Sequence, residues 1–411
     1  MLVCKSKVME NLGVMYLSSV IKKAGHECKI VSINEAIDSA QEIKPDIVGF
    51  SIMTGDMEKF HALEYSLRKR KYPPKIIVGG PDPTFFPKGY DWADEIAKGD
   101  AEGWMLQYLS GSKAFYNDFF HLDFIPWPDR TDFPGMKIRD FITSRGCPYN
   151  CAYCYNDRWN KMFPDTPKVR TRSVKDVIAE INATDPDFVY FQDSCFAVNM
   201  NWMRQFSELY RMEINIPYHC HLRPNQVDDE RAWLLHNSGC ISTRIALETA
   251  SPRLRKLINR EQTTNIETFE AAKHLRKYKI KLMIQNILCL PTATIEDDLN
   301  TLDVNIKAAP SYAWSSIFMP YPGTVLGDMC VEKGWYKGDY EDITDSFFDH
   351  SVLDISEEYR EQSYYLQKCF ALCVKVKEIP KPEELTAERF PALIHRLMRK
   401  HGDKKLYGGI I

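Results

Sequence analysis

The hydrophobic pattern of the first hundred residues switches repeatedly between two periods. In NLGVMYLSSVIKKAG apolar side chains recur three and four apart, which predicts an amphipathic helix ended near Gly25 and followed by a strand over 28–33. PDIVGFSIMT is a continuous apolar run of strand length, MEKFHALEYSLRKRK has helical spacing, and PKIIVGG is a further buried strand closed by two glycines. ADEIAKGD reads as a short fourth strand that leads into the helix AEGWMLQYLSG. Apolar strands alternating with helices predict a parallel sheet covered on both faces. Ligands of such sheets bind at the carboxyl ends of the strands. The residues at those ends are Ser51 and Thr54, then Gly79, Gly80 and Thr84, then Gly99.

Residues 111–138, with DFIPWPDRTDFPGMK at their end, lose all periodicity and read as a linker. From Arg139 to about Gly323 the alternation resumes. Six candidate strands, DFITSRG, DFVYFQDS, PYHCHLR, STRIALE, KLMIQNILCLP and WSSIFMPYPG, are separated by helical patterns. Six such units predict a partial (β/α)6 barrel of TIM type, with function at its C-terminal rim. EYREQSYYLQKCFALCVKVK and ALIHRLMRK then predict a helical end to the chain. The expected class is therefore α/β: a doubly wound, Rossmann-like domain over 1–112, a linker over 113–138, the barrel over 139–330 and a mainly helical segment over 331–411.

A chain of 411 residues exceeds one ordinary core, which agrees with that division. At 44% hydrophobic and 27% charged it has the make-up of a soluble globular protein. A formal charge of −3 gives no electrostatic case for nucleic acid or an anionic membrane surface. No apolar run approaches the roughly 18 residues that span a bilayer, and the start lacks a signal peptide's apolar region. The expected location is the cytoplasm, where disulfides are disfavoured. Most of the 12 cysteines, such as Cys28, Cys240 and Cys289, read as small buried hydrophobes. Cys369 and Cys373 share a helix face in the apolar stripe CFALC, which reads as packing, with an auxiliary ligand pair as the alternative.

The stretch SRGCPYNCAYCYN is different. It gathers Cys147, Cys151 and Cys154 directly after the first barrel strand. Four thiolates would close a zinc site or fully ligate a cubane cluster. Three on a [4Fe–4S] cluster leave one iron open, and an open metal position binds a substrate directly. A structural zinc site with a distant fourth ligand, or plain buried cysteines, are the alternatives.

The order Cys-x3-Cys-x-aromatic-Cys, with Tyr153 at the aromatic position, resembles the signature of the radical S-adenosylmethionine (SAM) superfamily. The resemblance implies that the three cysteines hold a [4Fe–4S] cluster and that SAM chelates the open iron. It also implies that reductive cleavage gives a 5′-deoxyadenosyl radical. Tyr153 would lie beside the adenine. RIALETAS resembles the strand whose acid faces SAM, which nominates Glu248, and YHCHLRPN the strand whose arginine faces the centre, which nominates Arg223. MPYPGT at 319–324 is typical of the region near the last barrel strand. ILCLPTATIEDD departs from the pattern: Cys289 and Thr292 stand where glycines are common, and Ala293 replaces an acid.

PDIVGFSIMT, KIIVGGPDPTFFP and EIAKGDAEGW, in this order, resemble the cobalamin (B12)-binding domain fused to one class of radical SAM enzymes. That resemblance nominates Ser51, Thr54, Gly79, Gly80, Thr84 and Gly99 as the cobalamin site. The Asp-x-His-x-x-Gly motif is absent, and Asp100 or Glu102 stands in for the acid of the usual Gly-Glu pair. With both cofactors, the resemblance implies a cobalamin-dependent radical SAM methyltransferase. It would use methylcobalamin and the deoxyadenosyl radical to methylate an unactivated carbon, or phosphorus, of a small molecule or peptide. A flavodoxin- or ferredoxin-type protein would supply low-potential electrons. No nucleic acid or membrane partner is expected, and no protein acid or base is nominated. The alternatives are a non-methylating rearrangement or oxidative cyclisation, a B12-like domain that is only a scaffold, and an iron–sulfur protein without SAM turnover. An RNA methylthiotransferase is disfavoured, because the first domain holds only Cys4 and Cys28.

Overall fold

The structure is a computed structural model, and it describes residues 1–111, 121–339, 342, 343 and 346–402. The expected boundary between first domain and linker, at 112 and 113, lies outside the described residues, as does the end of the C-terminal segment. The chain divides into two compact units, 1–148 with 158–190, and 149–157 with 191–411.

The first unit begins with β1 (Leu2–Cys4), α1 (Leu12–Lys23), β2 (Ile30–Ser32), α2 (Ala36–Ile43), β3 (Ile47–Ser51), α3 (Met57–Arg68), β4 (Lys75–Gly79), α4 (Pro81–Phe85), β5 (Glu95–Ala97) and α5 (Ala101–Ser110). The five strands form one parallel sheet in the order β2-β1-β3-β4-β5. Strand geometry sends alternate side chains to opposite faces. Val3 packs with Ala36, Ala40, Phe60 and Leu67 of α2 and α3, whereas Leu2 and Cys4 pack with Val14, Met15 and Met105 of α1 and α5. Both faces are thus buried, which is why these strands read as continuous apolar runs. The strand order reverses between β1 and β3, and that switch point is where an open α/β sheet leaves a crevice.

Residues 121–138 are stitched to this unit. Asp129 accepts from Ser18 Oγ at 2.6 Å and pairs with Lys22 at 2.6 Å, and Asp132 accepts the Ile30 amide at 2.7 Å. Arg130 bridges the buried carboxylates of Glu10 and Glu180. The stretch expected as a linker is therefore held in place by buried ion pairs.

The chain continues through β6 (Ile138–Phe141), β7 (Ser144–Gly146), α6 (Tyr155–Met162), β8 (Val169–Thr171), α7 (Val174–Thr184), β9 (Phe188–Phe191), α8 (Met200–Glu213), β10 (Tyr218–Leu222), α9 (Asp229–Asn237), β11 (Cys240–Glu248), α10 (Pro252–Leu257), α11 (Asn265–Lys277), β12 (Lys281–Leu288), α12 (Ile295–Ala308), β13 (Tyr312–Ile317), α13 (Val325–Glu332), α14 (Glu357–Val376) and α15 (Phe390–His401). A six-stranded sheet runs β13-β12-β11-β10-β9-β6, and β10 to β13 pair in parallel. The run DFITSRG, expected as one strand, is two: β7 leaves the sheet and pairs antiparallel with β8. The expected α/β class, two parallel sheets with helical cover, is what the structure shows.

Within the second unit α12, α14 and α15 share a core with β12 and β13, built on Leu288, Leu302, Ile317, Leu366, Phe370 and Leu393. Cys369 and Cys373 lie fully buried in this core, with sulfurs 3.7 Å apart. Among the described residues no helix is long and apolar enough to cross a membrane.

Candidate functional site

In the second unit the alternation along β10 puts Tyr218 and Cys220 on one face and His219, His221 and Arg223 on the other. Tyr218 joins an aromatic cluster with Phe191, Phe206 and Tyr210. On the opposite side, register places His221 beside Arg244 of β11, and Ala246 beside Gln285 of β12, which is beside Trp314 of β13. Arg244 donates to His221 Nδ1 at 2.9 Å, and His219 Nδ1 lies 2.8 Å from Ser242 Oγ. Burial, reinforced by Arg244, pushes His219 down to about 4 and His221 down to about 2. Both imidazoles are neutral near pH 7 and serve as hydrogen-bonding groups, not as acids.

At the C-terminal end of β11 stands Glu248, a non-glycine residue at φ +65°. Backbone strain of this kind persists where surrounding contacts enforce it, and it clusters at functional sites. Here the Tyr153 hydroxyl donates to Glu248 Oε1 at 2.6 Å. Arg260 donates to the Tyr153 hydroxyl at 3.2 Å, to Cys151 Sγ at 3.6 Å and to the Ala246 carbonyl. Arg223 reaches Cys151 Sγ at 3.7 Å, bonds Thr263 Oγ1 at 2.9 Å and lies over the Tyr149 ring at 3.7 Å. Burial raises the Glu248 pKa above the usual carboxylate range although Arg260 and Tyr153 oppose it. Burial works against the Arg260 charge, but Tyr153, Glu248 and Cys151 hold its pKa above the ordinary value. Tyr153, Glu248, Gln285, Ile287, Trp314 and Tyr321 line a cavity of about 190 Å³.

The turn after β12 keeps a backbone that glycine would favour at the two positions that depart from the family pattern. Cys289 and Thr292 adopt φ +58° and +67°, the left-handed conformation that glycine takes at little cost. Compensation is local: Asp298 accepts the Cys289 amide at 3.1 Å, and Arg253 donates to Thr292 Oγ1 at 2.8 Å.

Of the three cysteines, Cys151 and Cys154 share one turn, the Cys154 amide donating to the Cys151 carbonyl at 3.0 Å. Cys147 belongs to the first unit, where its carbonyl accepts from Asn160 at 3.5 Å. Burial raises the Cys154 thiol. Among the described residues no three His, Cys, Asp or Glu side chains lie close enough together to hold a metal as they stand. The surroundings of Cys151 nevertheless suit an anionic, thiolate-held cluster. Two buried guanidinium groups address its sulfur, and the Nε of each, Arg223 and Arg260, has no hydrogen-bond partner among the described residues. Such orphaned donors are costly in a dry site, and nearby negative charge offsets that cost.

In the first unit a cavity of about 270 Å³ opens at the switch point of the sheet. Ser51, Gly79, Gly80 and Gly99 line it, together with Leu2, Leu12 and Gly13. Gly80 sits at φ +101°, and a Cβ there would meet Ile52 O at 2.8 Å and Ile52 N at 2.9 Å. Only glycine permits this approach of the loops after β3 and β4. Asp100 and Glu102 also line the cavity, but as ion pairs: Glu102 bonds Arg145 at 2.6 Å, and Asp100 bonds Arg145 and Arg170. Thr54 and Thr84 are not on its wall. Thr84 Oγ1 instead accepts the Gly99 amide at 3.1 Å, and Thr54 bonds the Asp82 carboxyl. A glycine-walled slot that Ser51 also lines fits the nucleotide tail of cobalamin.

Reasoning from sequence passed over Arg260 and the His219–His221 pair. The histidines were signalled by their alternation with Arg223 in YHCHLR. Arg260 lies in the aperiodic stretch NREQ and had no local signal.

A family model described as the B12 binding domain matches residues 1–107, and one described as the radical SAM superfamily matches residues 141–304. The chain belongs to the cobalamin-dependent radical SAM enzymes. The radical SAM domain brings a [4Fe–4S] cluster and SAM, and the B12-binding domain brings cobalamin. An uncharacterized methyltransferase of Pyrococcus horikoshii is 24% identical over 370 residues, covering 78% of each chain. Cytidylyl-2-hydroxyethylphosphonate methyltransferase of Streptomyces wedmorensis is 20% identical over 431 residues, covering 79% of this chain and 78% of that one. Among solved structures, the fold is similar to the cobalamin-dependent SAM radical enzyme OxsB, with TM-score 0.68 and 15% identity over 98% of this chain and 71% of that one. It is also similar to the radical SAM methyltransferase TsrM of Kitasatospora setae, with TM-score 0.66 and 15% identity over 81% and 75%.

Proposed function

We propose that this radical SAM enzyme is a methyltransferase acting in the cytoplasm on an unactivated carbon of a small molecule or peptide. The observation that carries the reading is that one chain holds both a glycine-walled slot at a sheet switch point and a barrel pocket built on Tyr153, Glu248 and Arg260. When bound, the cluster with SAM supplies hydrogen-atom abstraction, and cobalamin supplies the methyl group.

The chain's own residues bind and orient. Cys147, Cys151 and Cys154 are the cluster ligands in this reading. Arg223 and Arg260 set positive charge against Cys151, where charge-assisted contacts in a dry site are strong. Tyr153 and Glu248 hold SAM, the tyrosine hydroxyl fixing the carboxylate it donates to. Ser51, Gly79, Gly80 and Gly99 receive the cobalamin tail, while Thr54 and Thr84 brace the loops behind them. The neutral His219 and His221 offer hydrogen bonds inside the barrel, and the reading assigns no residue as a general base, because the radical does the activation. A flavodoxin- or ferredoxin-type protein supplies the electron.

The test is anaerobic incubation of the reconstituted enzyme with SAM and a low-potential reductant, with mass-spectrometric assay of 5′-deoxyadenosine and S-adenosylhomocysteine. Methyl transfer predicts both products. Deoxyadenosine without S-adenosylhomocysteine would point to a non-methylating rearrangement or oxidative cyclisation, and neither product would sink the proposal.

A further inference from the structure

The slot in the first unit is too small for the whole of cobalamin, whose tail is covalently tied to a much larger corrin disc. If the tail enters between Ser51, Gly79, Gly80 and Gly99, the disc must emerge at the slot's mouth. Apolar side chains lie on the loops that leave its strands and against Gly99 on its wall.

The loops in question leave β1 and β3. Val8, Met9 and Met53 are 86%, 62% and 54% exposed, although each is a large apolar side chain. Their loops lead directly from the slot: residues 5–11 join β1 to Leu12 on its wall, and Met53 follows two residues after Ser51. Single exposed apolar residues are ordinary, but three on the loops that leave two strands of one ligand slot suggest a covered surface.

Against Gly99 is an aromatic wedge. Trp159 and Phe163 of α6 pack at 4.6 Å between ring centroids, and Trp159 meets Phe85 of α4 edge-on at 6.4 Å. The wedge is seated against Gly99 itself: a Cβ there would meet Phe163 Cζ at 2.8 Å and Trp159 Cη2 at 3.3 Å. Gly99 therefore admits these rings to the edge of the slot as well as lining it. All three aromatics stay only half-buried.

We propose that this collar, Trp159 and Phe163 facing Val8, Met9 and Met53, grips the corrin ring and that Trp159 is the residue that positions it. The inference rests on the cobalamin reading above. A flat, largely hydrocarbon macrocycle suits aromatic faces on one side and flexible thioethers on the other.

The experiment is an absorbance and tryptophan-fluorescence titration of hydroxocobalamin into the full-length, cluster-reconstituted protein, comparing wild type with W159A, W159F and M53E. W159A is expected to weaken binding by about tenfold or more, as loss of a tryptophan that the ligand covers does, while W159F stays within roughly threefold. M53E, at an exposed position where folding is not at stake, is expected to weaken binding by a similar factor. Iron content should match wild type in all three. Wild-type affinity in W159A or in M53E would overturn the collar and leave cobalamin binding standing. No binding by wild type would overturn the cobalamin reading, and the collar with it.

Discussion

Replacing Gly80 by alanine separates two reasons for a glycine. Its φ of +101° with ψ −175° is a region that residues with a Cβ avoid, worth about 1–3 kcal/mol of strain. The added Cβ would also stand 2.8 Å from Ile52 O and 2.9 Å from Ile52 N. Ile52 cannot yield cheaply: its amide donates to the Gly79 carbonyl at 2.9 Å and its carbonyl accepts from Asp82 at 3.2 Å. Overpacking of this kind adds about 1–3 kcal/mol. Gly25 is the control, since it has φ +90° with nothing within 4 Å of a Cβ. G25A should cost about 1–2 kcal/mol of conformational strain alone. With a urea slope near 2 kcal/mol/M, G80A should lower the unfolding midpoint by roughly 1–3 M and G25A by less than about 1 M. The cobalamin content of the desalted protein should fall in G80A and not in G25A. Equal midpoint shifts with equal cobalamin content would refute the claim that close approach of the two loops shapes the slot.

Three further outcomes are expected. R260M should lower the cluster's midpoint potential in an EPR-monitored redox titration by on the order of 50–100 mV, as removal of a neighbouring cation worth roughly 1–2 kcal/mol implies, and R260K should restore part of it. The Asp298 carboxyl, pushed up to about 7 by burial although Tyr359 donates to it at 2.9 Å, should make stability fall as pH rises from about 4 through about 7, because ionisation is costlier in the folded state. D298N should flatten that slope in urea midpoints measured between pH 5 and 8, and an unchanged slope would contradict the assignment. C151A should lose most of the reconstituted iron, whereas C369A and C373A, in the core under α14, should keep about four irons per chain.

The parallel sheets were legible because strands buried on both faces leave continuous apolar runs such as IVGF and IIVG. The short helix α2 was passed over because only Ala36 and Ala40 of its eight residues are buried, too few to write a period. The break of DFITSRG into β6 and β7 was hidden because the run keeps a strand-like composition while its second half pairs antiparallel. At the site, Cys151, Tyr153 and Glu248 could be named because their neighbours form local patterns. Arg260 acts through a tertiary approach to Cys151, and no local pattern records that. Thr54 and Thr84 were chosen for hydroxyls at strand ends, yet tertiary contacts turn them toward Asp82 and Gly99. Cys289 and Thr292 show the reverse case, where the backbone takes a glycine-like conformation at residues that are not glycine.

The most direct test of the central claim is anaerobic reconstitution with iron, sulfide and hydroxocobalamin, followed by desalting and assay of both cofactors on the same sample. The account predicts about four irons and about one cobalamin retained per chain. About four irons with no retained cobalamin would contradict it, leaving a radical SAM barrel whose first domain is a scaffold.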